Sequence, residues 1–165
     1  MSRSLLRLVP ALLTAAVFAV GCAQTTTSTL DTAQATPDNF SRAKAAGIRP
    51  VAIGNFTSAQ DKFPAEARYL RDTLDVELQG AGLVNPSSTA VIDGQLVVSD
   101  LGATAASVGA RFTVTVSGRV VYDRELRTSS TWDKSANAGR QQGAVYNKLV
   151  GVLLADPGFK NAVPR

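Results

Sequence analysis

A short apolar leader that ends at the only cysteine of the chain constrains this sequence more than any other feature. Residues 8–21 form an apolar run of 14 residues, preceded by Arg3 and Arg7 and followed at once by Cys22. A membrane-spanning helix needs about 20 apolar residues, so this run is too short to cross a bilayer. Basic residues before a short apolar stretch are typical of a secretory signal. We therefore predict that residues 1–21 are a signal peptide and that the fold is built from the remainder.

The junction before the cysteine resembles the bacterial lipobox, in which small residues precede an invariant cysteine. Ala19 and Gly21 stand at this junction, although leucine is commoner than alanine at the first of these positions. The resemblance implies that Cys22 becomes the acylated first residue of a lipoprotein, which acyl chains hold at the membrane. An aspartate after the cysteine would resemble an inner-membrane retention signal, but residue 23 is alanine. The resemblance therefore implies that the lipoprotein lies at the periplasmic face of the outer membrane. A free cysteine in an uncleaved leader is the alternative.

The composition excludes several kinds of chemistry. The chain has no histidine, which removes the commonest general base and the commonest metal ligand. Its one cysteine excludes an intramolecular disulfide and a cysteine-rich zinc site. Two of the 17 bases lie in the leader, which leaves 15 bases against 13 acids, too small an excess to favour nucleic acid. We predict a non-enzymatic protein with no metal, no cofactor and no nucleic-acid partner.

The segment after the cysteine differs in composition from the rest of the chain. Residues 22–48 are rich in threonine, serine and alanine and hold few large apolar side chains. Such a composition favours a flexible tether, with a short helix near residues 40–46 as an alternative for its end. The predicted folded domain is an α+β periplasmic domain that covers residues 49–165.

Hydrophobic periodicity predicts the first elements of this domain. Residues 50–56 are an apolar run typical of a buried strand, and Pro64 suits the first turn of a helix. Residues 90–100 alternate as a second strand, so strand, helix and strand predict a right-handed parallel crossover. Residues 101–109 are small and poorly patterned, and we predict a mobile loop there. The apolar face of the helix is predicted to hold Ala67, Leu70, Leu74, Leu78 and Ala81.

A hairpin follows, and its register depends on the loop. We predict a three-residue loop at residues 116–118, because glycine at position 118 suits the left-handed conformation that such loops need. A two-residue loop would set Phe112 against Asp123, so the hydrophobic pattern favours the longer loop. Arg124 then has core parity, which predicts a bulge or a snorkelling side chain. The predicted cross-strand pairs are Val114 with Val120, Phe112 with Tyr122, and Arg111 with Asp123.

The last elements complete the predicted fold. The second hairpin strand continues towards Trp132, and a second helix covers residues 137–155. Phe159 is expected to pack back against the domain. We predict a single α+β domain of β-α-β-β-β-α order, in which two helices pack on one face of a mixed sheet.

This order behind a lipobox resembles the small α+β domains of lipoproteins that assist envelope machines. Examples are the lipoprotein partner of the lipopolysaccharide-inserting barrel and the lipoprotein activators of peptidoglycan synthases. Local phrases over residues 50–160 also resemble a family of proteobacterial lipoproteins without an assigned function. These phrases, which imply one domain and no catalytic residues, lie at residues 69–74, 77–82, 110–114 and 149–159.

Two groups of side chains are candidates for a binding site. The first is a set of hairpin bases that would bind an anionic glycan or a lipid head group: Arg111, Arg119, Arg124 and Arg127. Asp123 and Glu125 interleave with these bases, so cross-strand ion pairs are the alternative and the favoured reading. Trp132 would stack on a sugar ring, or else anchor the end of its strand.

The carboxylates and serines carry weaker signals. Asp93, Asp100 and Asp133 would suit a hard cation or a carboxylate pair, but they lack motif spacing, so solvated positions are favoured. Ser99 and Ser107 lack a histidine or a positioned lysine. We therefore predict an accessory module that is anchored to the membrane through its lipid and binds an envelope protein. A periplasmic lipid- or glycan-binding module is the alternative, and an enzyme is the least favoured.

Overall fold

The computed structural model describes residues 30–165, so the predicted signal, Cys22 and residues 22–29 of the tether lie outside the described residues. Four helices and four strands follow one another along this part of the chain, with a single 3-10 turn after the first strand. In chain order the elements are α1 (Pro37–Ala45), β1 (Ala52–Ser58), α2 (Pro64–Gly80), β2 (Ala90–Leu101), β3 (Ala105–Val116), β4 (Arg119–Thr131), α3 (Ala138–Ala155) and α4 (Pro157–Ala162).

The four strands form one mixed sheet in the order β1-β2-β3-β4. β1 is parallel to β2, and the other two pairs are antiparallel, so the predicted α+β class and the mixed sheet are confirmed. One face of the sheet is buried under α2 and α3, and the opposite face, which we call the outer face, is polar. The buried face includes Ile92, Leu96, Val108, Phe112, Val114 and Leu126.

The helix predicted from residue 64 lies at α2, and every residue of its predicted apolar face is buried. Pro64 occupies its first turn, where a missing N–H costs nothing. The second predicted helix lies at α3, which begins after the Asn137 cap. Phe159 is buried, as expected, and belongs to the short helix α4 that the sequence pattern did not indicate.

The end of the predicted tether is packed against the domain. Thr36 caps α1 through its side chain, and Pro37 begins the helix. Ala43 and Ile48 are each 1% exposed, so the boundary predicted at residue 49 lies too late in the chain. The short helix considered near residues 40–46 is therefore present, but it begins earlier, at Pro37 after the Thr36 cap.

The mobile loop predicted at residues 101–109 is wrong. Only residues 102–104 lie between β2 and β3, where the Gly102 amide donates to the Ala105 carbonyl at 2.9 Å. Ala106 and Val108 lie on the buried face of β3. Small side chains let α3 pack closely on this strand, and they also remove the alternation by which a strand is recognised.

The predicted hairpin register is also wrong. Ser117 and Gly118 form a two-residue turn with φ values of 49° and 82°, as the favoured hairpin turn requires. A bulge at Val121 then shifts β4 by one residue, so Val114 lies opposite Tyr122 and Phe112 opposite Arg124. The two-residue turn alone would set apolar residues of β3 opposite polar residues of β4. The bulge corrects this offset and keeps the apolar residues on the buried face.

Candidate functional site

The outer edge of β4 is the longest open backbone surface in residues 30–165. β4 has 13 residues and pairs only with β3 in the sheet. The Trp132 amide donates to the Thr104 carbonyl at 2.9 Å, which fixes the alternation of hydrogen-bonded pairs along this antiparallel ladder. The backbone groups of residues 123, 125, 127, 129 and 131 therefore point away from β3. Lys148 confirms this direction, because its Nζ donates to the Ser129 carbonyl at 2.7 Å from outside the ladder.

The same odd-numbered residues expose their side chains on the outer face. Arg111 donates two hydrogen bonds to Asp123 at 2.6 and 2.5 Å, and Arg127 donates one to Glu125 at 2.6 Å. The hydrogen bond from Arg111 is the main reason why the pKa of Asp123 is lowered. The ion pair predicted between Arg111 and Asp123 is present, although the bulge places these residues diagonally rather than opposite each other.

The remaining two hairpin arginines lie elsewhere. Arg124 has core parity and is 57% exposed at its side chain, and its Nη1 donates to Asp156 at 2.7 Å around the border of the sheet. This is the predicted snorkelling arrangement. Arg119 follows the turn at the end of the hairpin and has no ion pair within the described residues. The four bases are thus spread over both faces and one end of the hairpin, and three of them are bound to carboxylates.

Trp132 anchors the end of β4. Its Nε1 donates to the Ala103 carbonyl at 2.8 Å, and its ring is partly buried against the core. A tryptophan held at both its backbone and its ring nitrogen fixes the turn at residues 102–104, which is the anchoring alternative considered for it.

The three aspartates considered as a cation site lie apart. Asp93 accepts from the Asn55 amide at 2.8 Å in the bulge of β1, and Asp133 accepts from both the amide and the hydroxyl of Ser135. Asp100 lies exposed on β2. Within residues 30–165, no group of three or more histidine, cysteine, aspartate or glutamate side chains is placed to hold a metal ion.

The N-terminal segment is held by a buried carboxylate on α2. The sequence pattern did not place this residue on the apolar face of the helix. Glu77 on α2 is 0% exposed and accepts four hydrogen bonds. Residues 34–39, which we call the strap, cross α2 and α3 at this point and supply most of the donors. The donors are the Thr36 amide at 3.0 Å, the Thr36 hydroxyl at 2.9 Å, and the side-chain amides of Asn39 and Asn147 at 2.8 Å each.

The strap is also tied directly to α3. The side-chain amide of Asn147 donates to the Gln34 carbonyl at 2.8 Å, and that of Asn39 donates to the Asn147 carbonyl at 2.8 Å. A Cβ at Gly151 would lie 2.6 Å from Asn39 Oδ1, so this glycine lets α1 approach α3. The capping sequence of Thr36 and Pro37 was the available signal for this arrangement.

Two clefts accompany these features. One of about 560 Å³ lies between the strap and α3 and is lined by Tyr69, Arg140 and Asn147, among others. The other, of about 370 Å³, lies on the outer face. Amide, hydroxyl, carboxylate and guanidinium groups line the second cleft, which is formed by Asn55, Thr57, Asp93, Gly94, Gln95, Arg111, Thr113 and Asp123. In the part of the chain that the structure describes, no helix has the length and apolar character needed to cross a membrane.

Comparison with known proteins gives similarities of fold only. No family model and no curated protein matches this chain. A Xanthomonas campestris protein of the DUF330 family is 13% identical with a TM-score of 0.48, covering 77% of this chain and 88% of its own. A PelC dodecamer from Paraburkholderia phytofirmans is 13% identical with a TM-score of 0.46, covering 75% and 93%. A minor lipoprotein from Acinetobacter baumannii is 11% identical with a TM-score of 0.41, covering 71% and 97%.

Proposed function

We propose that this chain is a non-enzymatic lipoprotein of the cell envelope, anchored through Cys22 at the periplasmic face of the outer membrane. Its task is to bind another protein. The observation that carries this proposal is the open edge of β4, where a row of backbone donors and acceptors has no partner strand within the described residues. Such an edge is a template for strand addition, in which the main chain supplies affinity and the side chains supply specificity.

The strap supports the anchored part of this proposal. The chain from the proposed lipid attachment at Cys22 reaches the domain at Leu30, which is partly buried against the core, and Asn147 and Glu77 then bind residues 34–36. Only a short segment then separates the membrane from the domain, so the anchor limits how far the domain extends from the bilayer. Glu77 holds the strap on the helical layer, whereas the interacting edge lies on the sheet.

The anchor is tested by intact mass measurement of the exported protein. The expected product begins at Cys22 and carries acyl chains, and a Cys22→Ala variant remains uncleaved or is released from the membrane. An unmodified sulfur, or a mature chain that begins at another residue, would remove the membrane part of the proposal.

The interacting edge is tested by photo-crosslinking in cells. A photoreactive amino acid in place of Glu125 lies on the open edge, and the same amino acid in place of Arg68 lies on the exposed side of α2. We expect a discrete protein adduct from position 125 and none from position 68. No adduct from position 125, or equal adducts from both positions, would contradict the role of the edge.

The polar cleft on the outer face supports a second candidate, a glycan-binding module. Its amide, hydroxyl and charged groups match the hydroxyls of a sugar, and Arg111 lies at its border. A double variant, Asp93→Ala with Gln95→Ala, should then weaken retention on peptidoglycan while the fold is kept. Unchanged retention would eliminate this candidate.

A further inference from the structure

We propose that the open edge of β4 pairs with the same edge of a second copy of this chain, so that two four-stranded sheets join into one. This proposal rests on the proposed function, because it names the protein that the edge binds. It follows from the direction of the backbone groups of β4 and from the charges that alternate along it.

The register is set by the outward groups. An antiparallel partner strand must place its own outward residues opposite the outward residues of β4, because these direct their backbone donors and acceptors away from β3. In one such register Glu125 faces Arg127 of the second copy, and Arg127 faces Glu125 of the second copy. Residues 123–129 of both copies then exchange about eight backbone hydrogen bonds, two for each pair of opposed residues.

Charge selects this register over its neighbours. The next registers that pair outward residues lie two residues away along the partner strand. One places Glu125 opposite Glu125 on the two-fold axis and the other places Arg127 opposite Arg127, where like charges repel. In the proposed register the axis passes through Leu126, and four charges form a ring of alternating sign on the outer face. The ion pair within each chain, at 2.6 Å between Arg127 and Glu125, supplies half of this ring already.

The other edge of the sheet does not offer such a surface. Val51, which immediately precedes β1, already donates to the Leu83 carbonyl at 2.9 Å and accepts from the Asn85 amide at 2.8 Å. β1 is also shorter, with 7 residues and an irregular register. The self-association is therefore an isologous pairing of β4 with β4, which closes at two copies.

Lys148 competes with this pairing. Its ammonium group donates to the Ser129 carbonyl, which in the joined sheet accepts from the Asp123 amide of the second copy. Lysine beside an open strand is a known protection against edge-to-edge association. The structure therefore sets a balance between the single chain and the dimer, and removal of this lysine shifts the balance towards the dimer.

The test measures self-association of the full lipidated chain in detergent by sedimentation and native mass spectrometry. Arg127→Glu places glutamates opposite each other at both contacts, and we expect a dimer affinity lower by about tenfold. The charge-exchanged double variant, Glu125→Arg with Arg127→Glu, restores opposite charges and should restore the affinity. Arg68→Glu makes the same charge change on α2 and should leave it unaltered. Circular dichroism verifies that each variant is folded.

Lys148→Met provides the opposite signal, since it frees the Ser129 carbonyl and should raise the dimer affinity severalfold. Monomers of both the wild type and Lys148→Met at every concentration would overturn the proposal. Equal affinities of the wild type, Arg127→Glu and the double variant would also overturn it, because they would place the interface elsewhere.

The crosslinking result separates this proposal from the proposed function. A β4 adduct with a second copy of this chain supports both. An adduct with a different protein, together with a monomeric chain, supports the interacting edge and refutes self-pairing. The absence of any adduct from position 125 refutes both.

Discussion

The two borders of the sheet are protected in different ways. At the β1 border, the segment around Val84 forms a parallel bridge with Val51, and Arg71 reaches the Gly54 carbonyl at 3.4 Å. At the β4 border, Lys148 bonds to a single carbonyl and Arg124 reaches across to Asp156. Backbone hydrogen bonds close the β1 border at its start. Long charged side chains cover the β4 border, and these side chains can move away from the strand at a small cost in free energy.

This difference extends to the energetics of the two halves. Next to β1, α2 brings a fully buried glutamate that holds the strap through four hydrogen bonds. Next to β4, the ion pairs of Arg111, Arg124 and Arg127 are exposed at the arginine, and exposed ion pairs contribute little. The buried hydrogen bonds of Glu77 therefore contribute more to stability than the exposed ion pairs at the β4 border.

The largest effect is expected at Glu77. Glu77→Ala removes the acceptor for four donors and should lower the free energy of unfolding by about 3 kcal/mol, because buried unpaired donors are costly. Denaturant unfolding measures this loss, and hydrogen exchange at residues 36–39 should become faster. Glu77→Gln keeps one acceptor oxygen and should lose less. A Glu77→Ala variant as stable as the wild type, with a protected strap, would show that the buried carboxylate does not hold the β1 half.

Two glycines on the inner strands test the same contrast, because each lies beside a side chain of one border strand. A Cβ at Gly94 would overlap the Phe56 ring, whereas a Cβ at Gly109 would lie 2.9 Å from Cγ of the exposed side chain of Arg127. We expect Gly94→Ala to cost about 2 kcal/mol, because the ring is packed against the core. Gly109→Ala should stay within about 0.5 kcal/mol of the wild type, because the arginine moves aside. Equal losses in thermal unfolding would show that both borders are equally rigid.

The pH dependence of the β4 border should come from Asp156. Burial would raise the pKa of Asp156, but hydrogen bonds from Arg124 and from the Phe159 amide outweigh it and lower the pKa below 3.8. The stabilisation by Asp156 is therefore complete above pH 3.8, and it is lost as the pH falls through the lowered pKa of the folded protein. Asp156→Asn should cost roughly 1 kcal/mol at neutral pH, and the difference from the wild type should shrink in acid. A difference that is constant with pH would contradict this account.

The sequence predicted those elements whose residues are large and periodic. The apolar face of α2 repeats every three or four residues with leucine, and its burial follows directly. β3 begins instead with small residues, alanine, serine and glycine among them, which give no alternation, so the sequence pattern predicts a loop at residues 105–109. A short helix near residues 40–46 was predicted only as an alternative to the tether, and the Thr36 and Pro37 cap was the signal for its start.

The candidate site was only partly predictable for a related reason. The ion pair of Arg111 and Asp123 follows from opposite charges on facing strands, and it survives a wrong register because arginine is long. The open edge depends on which backbone groups point outward, and the bulge at Val121 sets that direction. A bulge adds one residue without a composition of its own, so pattern counting cannot place it. Glu77 is buried by tertiary contacts with residues far away in sequence, which a helical periodicity does not contain.

The smallest expected effect concerns a hydroxyl at the β4 border. The hydroxyl of Tyr122 is buried without a hydrogen-bond partner among the described residues, whereas that of Tyr146 bonds to Ser99 at 2.9 Å. Tyr122→Phe should therefore raise the free energy of unfolding by up to about 1 kcal/mol, and Tyr146→Phe should lower it by about the same amount.

Alkaline pH gives these two tyrosines a further test. Burial, followed by the charge of Asp156, raises the pKa of Tyr122 from 10 to about 12. The stability linked to Tyr122 is thus intact below pH 10 and is lost as the pH rises towards 12. The free energy of unfolding of Tyr122→Phe should therefore decline less than that of the wild type in this range. A loss of stability in Tyr122→Phe at neutral pH would mean that the hydroxyl has a partner, and that the β4 border is closed more firmly than its exposed ion pairs suggest.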